Sequence, residues 1–230
     1  PTQILATAEA YLLAFEGPLV RLYPGHDAAR DAARELTALA AELRDPADAL
    51  SGRPLERRLE LDVHPLDVLR AFAADRRLSS ALRERLEEIE LRALSSARPT
   101  VGADQLVRTL NSTGRPVAVV SDVSPHVISA YLQGRSLAVR AGVHGRTDDP
   151  ARLMPHPDAL HRALHQPGSP TPHGVLIGSS PAELLSARAI DLPFVGYAPT
   201  DHAAARLTEL GARHVVRHLS ALIDAVRTIT

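Results

Sequence analysis

The chain is predicted to be an α/β protein built on a mainly parallel sheet with an inserted helical region, and three observations predict it. Short apolar or β-branched runs recur at wide intervals. A helical pattern of apolar spacing stands beside nearly every one of them. A long stretch after the first run has helical patterning throughout. Strands that alternate with helices form parallel sheets covered on both faces, because each crossover needs a helix to return the chain.

The strand candidates, in order, are "AYLLAF" at 10–15, "PVAVVS" at 116–121, "SLAVRAGV" at 136–143, "GVLIG" at 174–178, "PFVGYA" at 193–198 and "HVV" at 214–216. Helical patterns interleave with them in "SPHVISAYLQG", "HPDALHRALHQ", "SPAELLSARAI" and "DHAAARLTELG". From about Asp27 to Leu110 the pattern is helical, as in "HDAARDAARELTALAAEL" and "LSSALRERLEEIELRALSSA", with no convincing strand. That is too long for a crossover helix, so the domain reading is a core of residues 1–23 and 101–230 with a helical cap at 24–100. Charge runs such as "RERLEEIE" read as solvated helix faces. The segment "DPADALSGRPLERR", 45–58, reads as the loop of the cap. There is no internal repeat and no low-complexity tract. A Rossmann-like sheet of five or six strands is expected.

Composition excludes much chemistry. The 230 residues contain no cysteine, which removes thiol nucleophiles, disulfides and thiolate metal sites. All 26 basic residues are arginine, so Schiff-base chemistry and a phosphate-loop lysine are removed as well. A net charge of −1 offers no field for nucleic acid or an anionic membrane, and neither is expected as a partner. The bias toward alanine, arginine and proline is attributed to genome composition. No apolar run reaches the ~20 residues of a membrane helix. The first residues lack a basic region followed by an apolar one, and the expectation is a bacterial cytoplasmic protein.

In an open parallel sheet, ligands sit at the carboxyl ends of the strands. The segments to weigh are therefore "AFEG", "SDVSPH" and "IGSSPAE". With a helical insert after the first strand, and with the strings "EGPLVRLYPGH", "SPHVISAYL", "GRTDD", "PHPDAL" and "AELLSARAIDLPFVGYA", the chain resembles the haloacid dehalogenase-like hydrolases over essentially its whole length. The likeness is to their helical-cap branch of phosphoglycolate phosphatase and β-phosphoglucomutase.

The resemblance implies four motifs, and most have changed. The family's aspartate nucleophile and its aspartate acid/base two residues later correspond to Ala14 and Glu16, and a methyl group cannot attack phosphorus. The serine or threonine that holds a phosphate oxygen is kept as Ser121, although a serine at a strand end commonly caps a helix. The lysine position holds Met154 in "RLMPHP", with Arg152 the nearby cation, and arginine's planar head is not equivalent. The magnesium aspartates correspond to Ser179 and Glu183, and a hydroxyl is a poor anchor for a metal that demands hard anionic oxygens. A trapped laboratory variant would lose the nucleophile and keep the lysine and the metal acid.

The implied reading is a pseudophosphatase, without cofactor, that binds a protein partner or a small-molecule ligand, with a homodimer as one form. Phosphate-monoester hydrolysis needs on the order of 20 kcal/mol of barrier reduction, which Ser121 and a displaced glutamate do not supply. The alternative is an enzyme of other chemistry, a lyase, isomerase or condensing type, using Glu16, Asp122 or Glu183 as base. Glu16, Ser121, Asp122, Arg152, Ser179 and Glu183 are the candidate ligand contacts, together with the backbone amides after Glu16 and near Ser179. His161 and His165 stand one helical turn apart, with His156 before them, and read as a solvated helix face rather than a zinc site. His144 reads as a loop residue. Ser180, before Pro181 and three residues from Glu183, reads as the cap of a helix rather than a nucleophile.

Overall fold

A computed structural model describes residues 2–43, 64–165 and 173–229. Its chain contacts fall into two compact units: residues 1–21, 98–147 and 152–230, and residues 22–97 with 148–151. The proposed cap loop at 45–58 lies outside the described residues.

In the first unit a sheet of six parallel strands has the order β5-β4-β1-β6-β7-β8, where β1 is Ala10–Ala14, β4 Val117–Val120, β5 Val143–His144, β6 Gly174–Gly178, β7 Phe194–Tyr197 and β8 Val215–Val216. The central three, β4, β1 and β6, are buried at every position, as parallel strands covered on both faces must be. Leu12 pairs with Ala118 on one side and Leu176 on the other. These residues join Val120, Met154, Leu160, Leu164 and Phe194 in one apolar cluster.

Two strand readings need correction. Of "SLAVRAGV" only Val143 is in a strand, because Ser136 turns the chain at φ 52° and Leu137 and Ala141 reach the core from coil. The stretch from Asp27 to Leu110 also contains a strand. There β3, Arg98–Pro99, pairs antiparallel with β2, Val20–Arg21, as a ribbon too short to show a period in sequence.

Helix α1, Thr2–Thr7, precedes β1 and is held by one arginine. Arg115 Nη1 donates to the Leu5 carbonyl (2.7 Å) and the Tyr11 hydroxyl (2.8 Å), and Nη2 donates to the Ala6 carbonyl (2.9 Å). These carbonyls end a helix and have no intrahelical donor. Arg115→Ala is expected to lower the unfolding free energy by about 1–2 kcal/mol, read by urea denaturation, since three charge-assisted bonds are lost at a half-buried site.

In the second unit α2, His26–Leu43, α3, Pro65–Ala71, and α4, Arg76–Ala93, bury the helical-period sets Ala32/Ala33/Leu36/Ala40 and Leu78/Leu82/Leu86/Ile89. Asp67 and His64 form a capping box for α3, and the Asp75 carboxylate accepts the Leu78 amide at the start of α4. Arg85 and Arg92 of α4 reach Glu35 of α2 at 2.7 and 2.9 Å. The segment 148–151 belongs to this unit and its Asp148 pairs with Arg83 of α4, a feature absent from the sequence reading. Among the described residues no helix is long and apolar enough to cross a membrane.

Candidate functional site

The carboxyl ends of β1, β4 and β6 carry Ala14 and Glu16, Ser121, and Ser179, with Glu183 bonded to the Ser179 amide and the Met154 amide bonded to Asp122, all in the first unit. The apolar character of β1 continues to its end, where Ala14 and Phe15 are fully buried. Phe15 is fixed edge-on against Tyr131, with ring centroids 5.3 Å apart. The Tyr131 hydroxyl donates to the Leu19 carbonyl. The chain then turns at Gly17, φ 90°, whose amide donates to the Val20 carbonyl (2.8 Å). Glycine is required at this turn by its conformation and by its neighbour, since a Cβ would lie 2.0 Å from Ser179 Oγ.

Ser179 follows β6 and donates its hydroxyl to the Glu16 carbonyl (3.1 Å). This seryl group therefore ties the ends of β1 and β6 together. The Thr100 hydroxyl donates to the Gly17 carbonyl (2.5 Å), a contact that only the fold reveals.

At the end of β4, Ser121 Oγ accepts the Val123 amide (3.1 Å), and Ser124 caps α6, Pro125–Gly134. Ser121 is thus engaged in its own loop. Both carboxylate oxygens of Asp122 accept the Met154 amide at 3.0 Å, and the Asp122 carbonyl accepts from Arg146. The side chain of Met154 is buried in the apolar cluster with Leu12, Val120 and Leu160.

Glu183 is the site's perturbed acid. It lies in the first turn of α8, Pro181–Arg188, and its Oε2 accepts the amides of Ser179 (2.6 Å) and Ser180 (2.9 Å). The Ser180 hydroxyl accepts the Glu183 amide in return, which completes the capping box read from sequence. Burial pushes this carboxyl up to about 7; the two amides and the Ser180 hydroxyl pull it the other way, and the charge of Asp122 adds to the rise. Asp122 and Glu183 thus sense each other, whereas Glu16, half-buried, meets Ser179 through its backbone carbonyl.

Arg152 is directed elsewhere than the sequence reading supposed. It lies in a short 3₁₀ turn, Pro150–Arg152, and its Nη1 donates to Asp158 (2.9 Å). Arg162 donates to the same carboxylate (2.7 Å). Burial raises the Asp158 pKa, but the two arginines outweigh it and hold the carboxyl below its usual range.

His156 Nδ1 accepts the Asp158 amide (3.2 Å) at the start of α7, Asp158–Leu164, two residues on in its own loop. His161 and His165 are exposed, with ring centroids 5.7 Å apart, and His165 contacts the His161 carbonyl. His144 is a strand residue of β5 and not a loop residue; its Nε2 contacts the Ala141 carbonyl, and burial lowers its pKa. Among the described residues no three histidine, aspartate or glutamate side chains gather as a metal site would need.

What the geometry offers chemically is a buried carboxyl pushed up to about 7, an aspartate whose charge adds to that rise, and strand-end serine hydroxyls that are already engaged in local bonds. The described residues supply no aspartate at the end of β1 and no cation at position 154.

No family model matches the sequence, and no curated protein does. Solved structures do resemble it. A predicted phosphatase from Clostridium acetobutylicum superposes with a TM-score of 0.69 at 14% identity, covering 96% of this chain and 99% of that one. An HAD family hydrolase from Deinococcus radiodurans, with bound phosphate and sodium, gives 0.59 at 21% identity over 97% of each chain. A mutant CbbY from Rhodobacter sphaeroides, in complex with xylulose-1,5-bisphosphate, gives 0.61 at 18% identity, over 93% of this chain and 95% of that one. The likeness extends over nearly the whole of each chain, and the chain has the fold of the haloacid dehalogenase-like hydrolases.

Proposed function

We propose that this protein is a catalytically inactive member of that superfamily, a cytoplasmic bacterial pseudophosphatase that uses the old strand-end site to bind a small ligand or a partner. The observation that carries the reading is Met154. Where the family resemblance implies a phosphate-facing lysine, this chain has a thioether packed among Leu12, Val120 and Leu160, with its amide held by Asp122. Ala14 supports it, since its fully buried methyl group takes the place of the nucleophile. Magnesium is the metal the family implies, and the donors do not fit it. Ser179 is a neutral hydroxyl bonded to a carbonyl, and Glu183 accepts two amides in a buried setting that favours its protonated form.

The purified protein is expected to release no phosphate from 4-nitrophenyl phosphate or a panel of sugar phosphates above the buffer rate, with or without magnesium. Saturable turnover abolished by Ser121→Ala would overturn the reading. Native mass spectrometry of protein taken gently from its own cytosol then identifies what it carries.

One observation favours a second reading. A buried acid poised at about 7 beside a second carboxylate is the arrangement a general acid/base needs, so chemistry on a non-phosphorylated substrate is the alternative. A bound small molecule that changes on incubation with the wild type and not with Glu183→Gln would establish it.

A further inference from the structure

At the opposite end of the sheet, where β7 and β8 begin and α8 and α9, Asp201–Glu209, end, the first unit has a cavity of about 430 Å³. Volumes of this order accommodate small organic ligands. Its apolar wall is Leu184, Leu192, Pro193 and Phe194, and its polar rim is Arg188, Asp191, Arg213 and His214. The Arg188 guanidinium lies across the turn at Gly211, φ 91°, where a Cβ would stand 2.6 Å from its Nη2. Neither Arg188 nor Arg213 forms an ion pair with an acid among the described residues. Burial lowers the His214 pKa, and Arg213 beside it adds to the effect. Arg188 and Arg213 bring two positive charges to the rim against the one negative charge of Asp191.

We infer that this cavity binds a small organic monocarboxylate with an apolar body, its carboxylate held by Arg188 and Arg213 and its body laid against Leu192 and Phe194. Guanidinium groups match carboxylates in charge and planar geometry. An apolar wall beside them selects an amphipathic acid over inorganic anions, which have no surface to bury there. Asp191 repels a second negative charge on the ligand. The inference does not rest on the pseudophosphatase reading, because the arginines that would hold the carboxylate, Arg188 and Arg213, are not residues of the strand-end site, although the wall residues Leu184 and Phe194 lie close to Glu183.

The test uses 4-fluorophenylacetate as probe, followed by fluorine NMR, with amide shifts of Gly211 and His214 locating the contact. The expected result is saturable binding that shifts those amides and weakens by about tenfold or more in the Arg188→Ala/Arg213→Ala double variant. Both arginines are exposed, so the double variant is expected to keep the wild-type thermal unfolding midpoint. The neutral probe 4-fluorophenylacetamide is expected not to bind. Absence of probe binding to the wild type, equal binding to the double variant, equal binding of the amide, or displacement of the probe by equimolar inorganic phosphate would each overturn the inference.

Discussion

Met154→Lys is expected to lower the unfolding free energy by about 3 kcal/mol or more at neutral pH, because it places an ammonium in an apolar cluster where Met154 is 3% exposed. The sign of its pH dependence separates this cause from loss of packing. A buried lysine has its pKa depressed below the unfolded value, so between the two pKa values the unfolded chain holds more protons and stability rises with pH. The variant should therefore recover part of its loss as pH is raised toward 10, whereas Met154→Leu should cost less than ~1.5 kcal/mol at every pH. Chemical denaturation across that range reads both. A wild-type stability for the lysine variant at pH 7 would show that position 154 opens to solvent and would remove the main support for an inactive site.

Glu183→Gln is expected to be more stable than the wild type above neutrality. The folded carboxyl is raised from 4.5 to about 7, so between those values the folded protein binds the proton that the unfolded chain releases. Wild-type stability accordingly falls as pH rises from 4.5 through 7, by about 3 kcal/mol if the whole shift is expressed. Glutamine keeps an oxygen to accept the Ser179 and Ser180 amides and carries no charge to bury. The difference between variant and wild type should vanish near pH 4 and reach its full size by pH 8. Equal pH profiles for the two proteins would mean that Glu183 ionises at an ordinary pKa, and the acid/base alternative would fall with it.

Much of this was legible in the sequence because it is local. The run "GVLIG" is apolar throughout and forms β6 at the residues named, and Ser180-Pro181 with Glu183 three residues on is a complete helix-start signal. The run at 136–143 misled because apolar residues that enter the core from coil have no characteristic period. At the site, spacing identified the positions but not their engagements. The bond from the Met154 amide to Asp122, the Thr100 hydroxyl on the Gly17 carbonyl and the diversion of Arg152 to Asp158 all join residues whose separation or partner choice only the tertiary fold sets. The proton affinity of Glu183 was equally hidden, since a capping glutamate is usually exposed and this one is buried beside Asp122.

The Ser179 hydroxyl that joins the ends of β1 and β6 has a consequence for the routes by which this sequence can change. Gly17 leaves no room for any other residue while Ser179 is in place, and aspartate at 179 would bring a charge toward the Glu16 carbonyl and to the amide already bonded to Glu183. Gly17 and Ser179 thus each constrain what can stand at the other position. If the chain is the inactive member proposed above, a metal-binding aspartate at 179 would have to displace the bond to the Glu16 carbonyl that now joins two strand ends, so the loss of one hydroxyl would loosen the site it is meant to restore.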